Sequence, residues 1–103
     1  MKIGQHVIDR HSQTFIIAEL SANHNGSIET ALETIKAASE AGADCVKFQT
    51  YTPDTITLDH RSDYFKITQD TIWDGKYLYD LYKEAYTPWE WHKELFEACS
   101  NEG

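Results

Sequence analysis

Between positions 15 and 20 the chain reads Phe15-Ile16-Ile17-Ala18-Glu19-Leu20, a nearly continuous apolar run broken by one acid. Such a run is the pattern of a strand covered on both faces, as in a parallel sheet. Upstream, residues 2–8 and 14–17 flank the polar stretch Asp9-Arg10-His11-Ser12-Gln13, which predicts a short β-hairpin entering that strand. Downstream, Ser21-Ala22-Asn23-His24-Asn25-Gly26 reads as a turn, after which the apolar period lengthens. Ile28, Ala31, Leu32, Ile35 and Ala38 fall on one helical face, with Ser27 as N-cap, Glu29 in the first turn and Gly42 as the left-handed residue that ends the helix. Asp44-Cys45-Val46-Lys47-Phe48-Gln49 resumes a strand, and the intervening helix is long enough for a right-handed crossover into a parallel neighbour. Residues 15–50 therefore predict a β/α/β unit.

The alternation then pauses. Residues 51–74 contain Pro53, scattered polar positions and no sustained period, and predict a structureless loop longer than the ~12–15 residues usual for one, hence a lid or a disordered segment. Tyr77, Leu78, Leu81, Tyr82 and Ala85 predict a helix with Asp74 near its cap. Thr87-Pro88-Trp89-Glu90 carries an N-cap, a proline at the first helical position and a capping-box acid, and Trp89, His92, Leu95, Phe96 and Cys99 form the expected buried stripe of a last helix. Asn101-Glu102-Gly103 is a helix-ending signature, after which the alternation predicts a third strand. Two parallel strands cannot bury both of their faces alone. The expected architecture is α/β: the first two β/α units, after a short hairpin, of a TIM (β/α)8 barrel, with residues 1–103 an incomplete N-terminal part of a single domain. Such barrels run to roughly 250 residues and gather their chemistry at the C-terminal strand ends.

Strand parity picks out the candidate chemistry. Ile17 and Glu19 share one face of the first strand; Cys45, Lys47 and Gln49 share one face of the second, with Val46 and Phe48 on the other. If Val46 and Phe48 face helices, then Glu19, Lys47 and Gln49 converge inward at the strand ends. One reading is a buried Glu19–Lys47 ion pair without a catalytic role; the other is a site in which Lys47 holds a phosphate or carboxylate, or forms a Schiff base. Gln49 donates and accepts, which suits a sugar hydroxyl or an N-acyl group and equally suits bonding to neighbours alone. Asn23 and His24 lie in the strand-to-helix turn, where side-chain amides and helical N–H groups meet an anion or simply build the turn. A histidine without a paired ligand is more often structural, and His6, His11, His60 and His92 show no metal spacing.

Composition narrows the partners. Nine Lys+Arg against seventeen Asp+Glu give a net charge of −8 over 103 residues, with no basic cluster, so nucleic acid and anionic lipid are disfavoured and a local cation such as Lys47 gains interest. The aromatic residues between positions 64 and 91 are accordingly expected to serve core and lid packing rather than base stacking. Cys45 and Cys99 lack metal or disulfide-framework spacing and are expected to be free, half-buried thiols. Nothing resembles a signal peptide or a membrane span, so a cytoplasmic location is expected.

Ile17-Ala18-Glu19-Leu20-Ser21-Ala22-Asn23-His24-Asn25-Gly26 and Ala41-Gly42-Ala43-Asp44-Cys45-Val46-Lys47-Phe48-Gln49-Thr50 together resemble the sialic acid synthase family. Tyr51-Thr52-Pro53-Asp54-Thr55-Ile56-Thr57-Leu58, Trp73-Asp74-Gly75 and the segment from Glu84 to His92 resemble its pseudaminic acid synthase branch. The resemblance implies a (β/α)8 barrel followed by a small antifreeze-like domain, acting as a homodimer that condenses phosphoenolpyruvate with an N-acylated amino sugar, here a 2,4-diacetamido-2,4,6-trideoxy-L-altrose. It implies a divalent metal, typically manganese, held by later residues, so no metal ligand is assigned in this chain. It also implies that Lys47 contacts phosphoenolpyruvate, Gln49 contacts the sugar and Glu19 takes part in catalysis, with Asn23 and His24 beside them as substrate-contact candidates. The alternatives are an N-acetylneuraminate or legionaminate synthase, a Schiff-base aldolase using Lys47, and a non-catalytic binding module.

Overall fold

The computed structural model describes residues 1–103. At its centre β3 (Ile17–Ser21) and β4 (Cys45–Phe48) run parallel, joined by helix α1 (Ile28–Glu40). The local signals for this unit are all used. The Ser27 hydroxyl accepts the Thr30 N–H at 3.2 Å, satisfying one of the free donors of the first turn. At the other end Gly42 sits at φ +89°, and the N–H groups of Gly42 and Ala43 donate to Ser39 O and Ala38 O at 2.9 and 3.0 Å, the paired bonds of a Schellman cap.

The apolar face of α1 makes the core. Ala31, Ile35 and Leu95 are its buried centre, with Leu20, Ile28, Leu32, Val46, Phe48, Trp91, Ala98 and Cys99 packed around them. Val46 and Phe48 thus face helices, as parity requires. Helix α4 (His92–Glu102) lies against α1, where the Ser39 hydroxyl donates to Glu102 O at 3.3 Å. Cys45 and Cys99 are free and half-buried. Only six of 103 residues are buried, and the Cα radius of gyration is 16.7 Å. A compact domain of this length measures about 13 Å. The sheet face opposite the helices accounts for part of the difference: Ile17 on it is 50% exposed.

Several expectations change. The hairpin lies earlier, between β1 (Lys2–Ile3) and β2 (His6–Val7), because Gly4 at φ +55° supplies the turn residue that tight hairpins need. The polar stretch after it is instead a turn in which Asp9 Oδ1 accepts the N–H groups of His11 and Ser12 at 2.7 and 3.0 Å.

Residues 51–74 are not structureless. They hold a short helix α2 (Pro53–Ile56), with Pro53 at its start, and a 3-10 turn (Asp63–Phe65), and they begin an antiparallel arm in which Lys66 pairs with Tyr77. Side chains strap this segment to helix α3 (Leu78–Ala85): Arg61 forks onto Asp80 and lies 5.0 Å from the Tyr77 ring, and the Tyr79 hydroxyl donates to Asp54 Oδ1 at 3.1 Å. Asp74 does not cap α3; its carboxylate accepts the Gln69 N–H at 2.9 Å and closes the arm's tip.

Thr87 does not cap a helix either, because its hydroxyl is spent on His24. A 3-10 turn (Trp89–Trp91) precedes α4 and resets the helical phase. The buried stripe is consequently Trp91, Leu95, Ala98 and Cys99, whereas Trp89 and Phe96 are 60% and 65% exposed. Tyr64, 95% exposed, also packs in no core.

Candidate functional site

Parallel register sets Glu19 beside Lys47, and the Lys47 ammonium donates to Glu19 Oε2. The pair lies on the open sheet face, with side chains 60% exposed for Lys47 and 43% for Glu19, so it is not the buried ion pair considered above. The register then slips between Glu19 and Ser21, so that Ser21 pairs with Phe48, and Ser21 adopts φ +52°. A left-handed serine at a sheet irregularity is a local strain of the kind that re-aims side chains beside sites. Here it lets the Ser21 hydroxyl donate to Glu19 Oε1 at 3.2 Å while Ser21 O accepts the Gln49 N–H at 3.3 Å. The Lys47 hydrogen bond, aided by Ser21 and opposed by partial desolvation, holds the Glu19 carboxyl below the usual carboxylate range.

Beyond the strand ends opens a cleft of about 480 Å³, within the size of small-molecule sites. Asn23, Gln49, Tyr51, Trp73, Tyr82 and Glu84 are among the residues that line it. Tyr51 and Tyr82 meet edge to face, 5.7 Å between centroids, and burial with the neighbouring phenol pushes the Tyr51 hydroxyl up. Gln49 thus sits past the end of β4 and lines the cleft with Asn23, while Glu19 and Lys47 sit together on the sheet face and do not line it, so the residues do not form one cluster.

His24 stands apart. It is 4% exposed, its Nδ1 accepts the Gly26 N–H at 3.1 Å, and its Nε2 therefore carries the proton and donates to Thr87 Oγ1 at 3.1 Å. Its ring meets Trp91 edge-on at 5.1 Å. With both nitrogens engaged within the chain, His24 ties the β3–α1 turn to the α3–α4 junction. Burial holds the imidazole below the usual histidine range. A depressed folded value means that the unfolded chain binds the extra proton first, so this stabilisation is full above about pH 6.5 and is lost as pH falls through the folded value. In urea unfolding between pH 7.5 and 5, the wild type should lose stability more steeply than His24→Gln; parallel pH slopes would refute the assignment.

His92 behaves similarly, bonded to Thr50 Oγ1 at 2.7 Å and to Pro88 O at 3.3 Å. No three His, Cys, Asp or Glu side chains converge as a metal set. No helix is long and apolar enough to cross a membrane. Sequence reasoning missed Ser21, Tyr51, Trp73, Tyr82 and Glu84. Their only signal was position, just after a strand end or on the turn side of a helix, because the segment bearing most of them lacks a period.

A parallel β/α/β unit thus carries a paired cation and carboxylate near its strand ends, with a cleft beyond them. Residues 34–103 match the NeuB family, and the chain belongs to that family. It is 53% identical to the pseudaminic acid synthase of Campylobacter jejuni over all 103 residues, which is 29% of that protein's length. It is 57% identical to the N,N'-diacetyllegionaminic acid synthase of Legionella pneumophila over 42 residues, 41% of this chain and 12% of that one. Among solved structures, the spore coat polysaccharide biosynthesis protein SpsE of Bacillus subtilis superposes on 99% of this chain and 25% of its own, with a TM-score of 0.67 and 29% identity. This likeness bears out the α/β architecture expected from the hydrophobic pattern, that of the N-terminal part of a (β/α)8 barrel.

Proposed function

We propose that the full-length protein bearing this chain is a pseudaminic acid synthase, condensing phosphoenolpyruvate with 2,4-diacetamido-2,4,6-trideoxy-L-altrose to form a nonulosonic acid. The observation that carries this reading is the 53% identity to a pseudaminic acid synthase through every element of the chain, against 42 matched residues for the legionaminic acid enzyme. On this reading residues 1–103 open a synthase barrel that an antifreeze-like domain follows, and the protein works as a cytoplasmic homodimer. A divalent metal, manganese by resemblance, is held by residues outside this chain.

Each residue here has a task that its chemistry supports. Lys47, a point charge on an open face, neutralises the carboxylate or phosphate of phosphoenolpyruvate. Gln49, which lines the cleft together with Asn23, bonds hydroxyl or N-acyl groups of the acceptor. The enol carbon attacks the sugar aldehyde, whose oxygen takes a proton; water then adds at the former enol C2, and phosphate leaves with the C–O bond. Glu19, kept anionic by Lys47 and aimed by Ser21, orients that water and balances positive charge developing at C2. Holding both reactants at one rim supplies the geometric part of the acceleration. The Schiff-base alternative needs a desolvated amine, whereas Lys47 is 60% exposed and bound to a carboxylate.

The test is a product assay on the full-length protein. One phosphate should be released per nonulosonic acid formed, with the altrose acceptor preferred over those of the neuraminate and legionaminate synthases. No phosphate release with any acceptor, or a borohydride-trapped adduct on Lys47, would overturn the reading.

A further inference from the structure

The arm formed by residues 66–77 carries one aromatic ring into the cleft and is braced to keep it there. Lys66 pairs with Tyr77, Ile67 N–H donates to Lys76 O at 2.9 Å, and Gly75 N–H donates to Ile67 O at 3.0 Å. Asp74 closes the tip through Gln69 N–H, and Gly75 at φ +84° makes the bend that a side chain would strain. Trp73 stands at this bend. Its ring lies 5.3 Å from the Lys76 ammonium, which is itself clamped to both Glu84 oxygens at 2.8 and 2.6 Å. A cation–π contact whose cation is anchored on α3 fixes the ring from one side. Trp73 is still 37% exposed and lines the cleft together with Gln49 and Asn23.

We propose that Trp73 is a specificity-determining residue, the wall on which an apolar substituent of the acceptor sugar packs: the methyl of an N-acyl group or a deoxygenated carbon. The inference rests on the synthase reading above and deepens it. A cleft lined by both side-chain amides and aromatic rings suits a neutral, partly deoxygenated, N-acylated sugar, because hydroxyls and carbonyls meet the amides while C–H faces meet the rings. The lining holds no Lys or Arg, and Glu84 at its edge is already paired with Lys76, so the anionic reactant goes to Lys47 and the neutral one to Trp73. Lys76 and Glu84 are positioning residues acting through the ring.

Steady-state kinetics on the full-length protein test this. Trp73→Ala should raise KM for the altrose acceptor about tenfold or more while KM for phosphoenolpyruvate stays within about twofold, since a lost apolar contact is felt by the substituent that made it. Trp73→Phe should recover most of the loss, and the Ala variant should no longer prefer an N-acetyl over an N-formyl acceptor. An unchanged acceptor KM in Trp73→Ala, or a parallel rise in both KM values, overturns the inference while leaving the synthase reading intact. Absence of condensation by the wild type overturns both.

Discussion

Glu19→Gln in the full-length protein is expected to lower kcat by about 10²–10⁴-fold while leaving the KM for phosphoenolpyruvate within about twofold. Glutamine keeps the shape of the side chain and an oxygen for the Ser21 hydroxyl, so the strand and its irregularity persist. What disappears is the charge. Because Lys47 holds the carboxyl below its usual range, Glu19 is an anion at neutral pH, a weak proton acceptor but a strong orienter of water and stabiliser of developing positive charge. The loss should therefore fall on turnover and persist across neutral pH rather than follow a titration near 7. Near-normal turnover in the variant would reject the role.

Leu95→Ala should cost about 2–5 kcal/mol of stability, the range for truncating a fully buried leucine. Leu95 is 0% exposed and, with Ala31 and Ile35, makes a three-residue core, so few neighbours are available to collapse into the space. The adjacent Phe96, 65% exposed, provides the contrast: Phe96→Ala should stay within about 0.5 kcal/mol. Urea unfolding of the two variants compares them directly. Equal losses would mean that α4 presents the Trp89, Phe96 stripe inward after all.

That contrast also shows where the sequence was readable. Residues 17–48 were legible because each boundary is set by a neighbour in the chain: the Ser27 cap, the Gly42 terminator and the apolar face between them act over one or two turns. The Glu19–Lys47 meeting was legible too, although the residues lie 28 apart, because parallel pairing and a two-residue alternation leave little choice of face. The organisation of residues 51–77 was not. It depends on Arg61 reaching Asp80, Tyr79 reaching Asp54 and Lys76 reaching Glu84, contacts between side chains that hydrophobic periodicity does not register. Thr87 shows competition between levels: its local pattern is that of a helix cap, and a buried histidine 63 positions away takes the hydroxyl instead. Ser21 shows a different limit, since serine in a left-handed conformation has no sequence signature, and the slip there pairs Ser21 with Phe48 where regular alternation would pair it with Gln49.

The central claim is that the open strand-end face of this chain receives phosphoenolpyruvate through Lys47. Calorimetric titration of phosphoenolpyruvate into the full-length protein and its Lys47→Met variant tests it most directly, because it isolates binding from turnover. An anion losing its point-charge partner should bind about tenfold more weakly or worse. The unfolding midpoint should hardly move, since the Lys47 side chain is 60% exposed. Unchanged phosphoenolpyruvate affinity in the folded Lys47→Met protein would contradict the account.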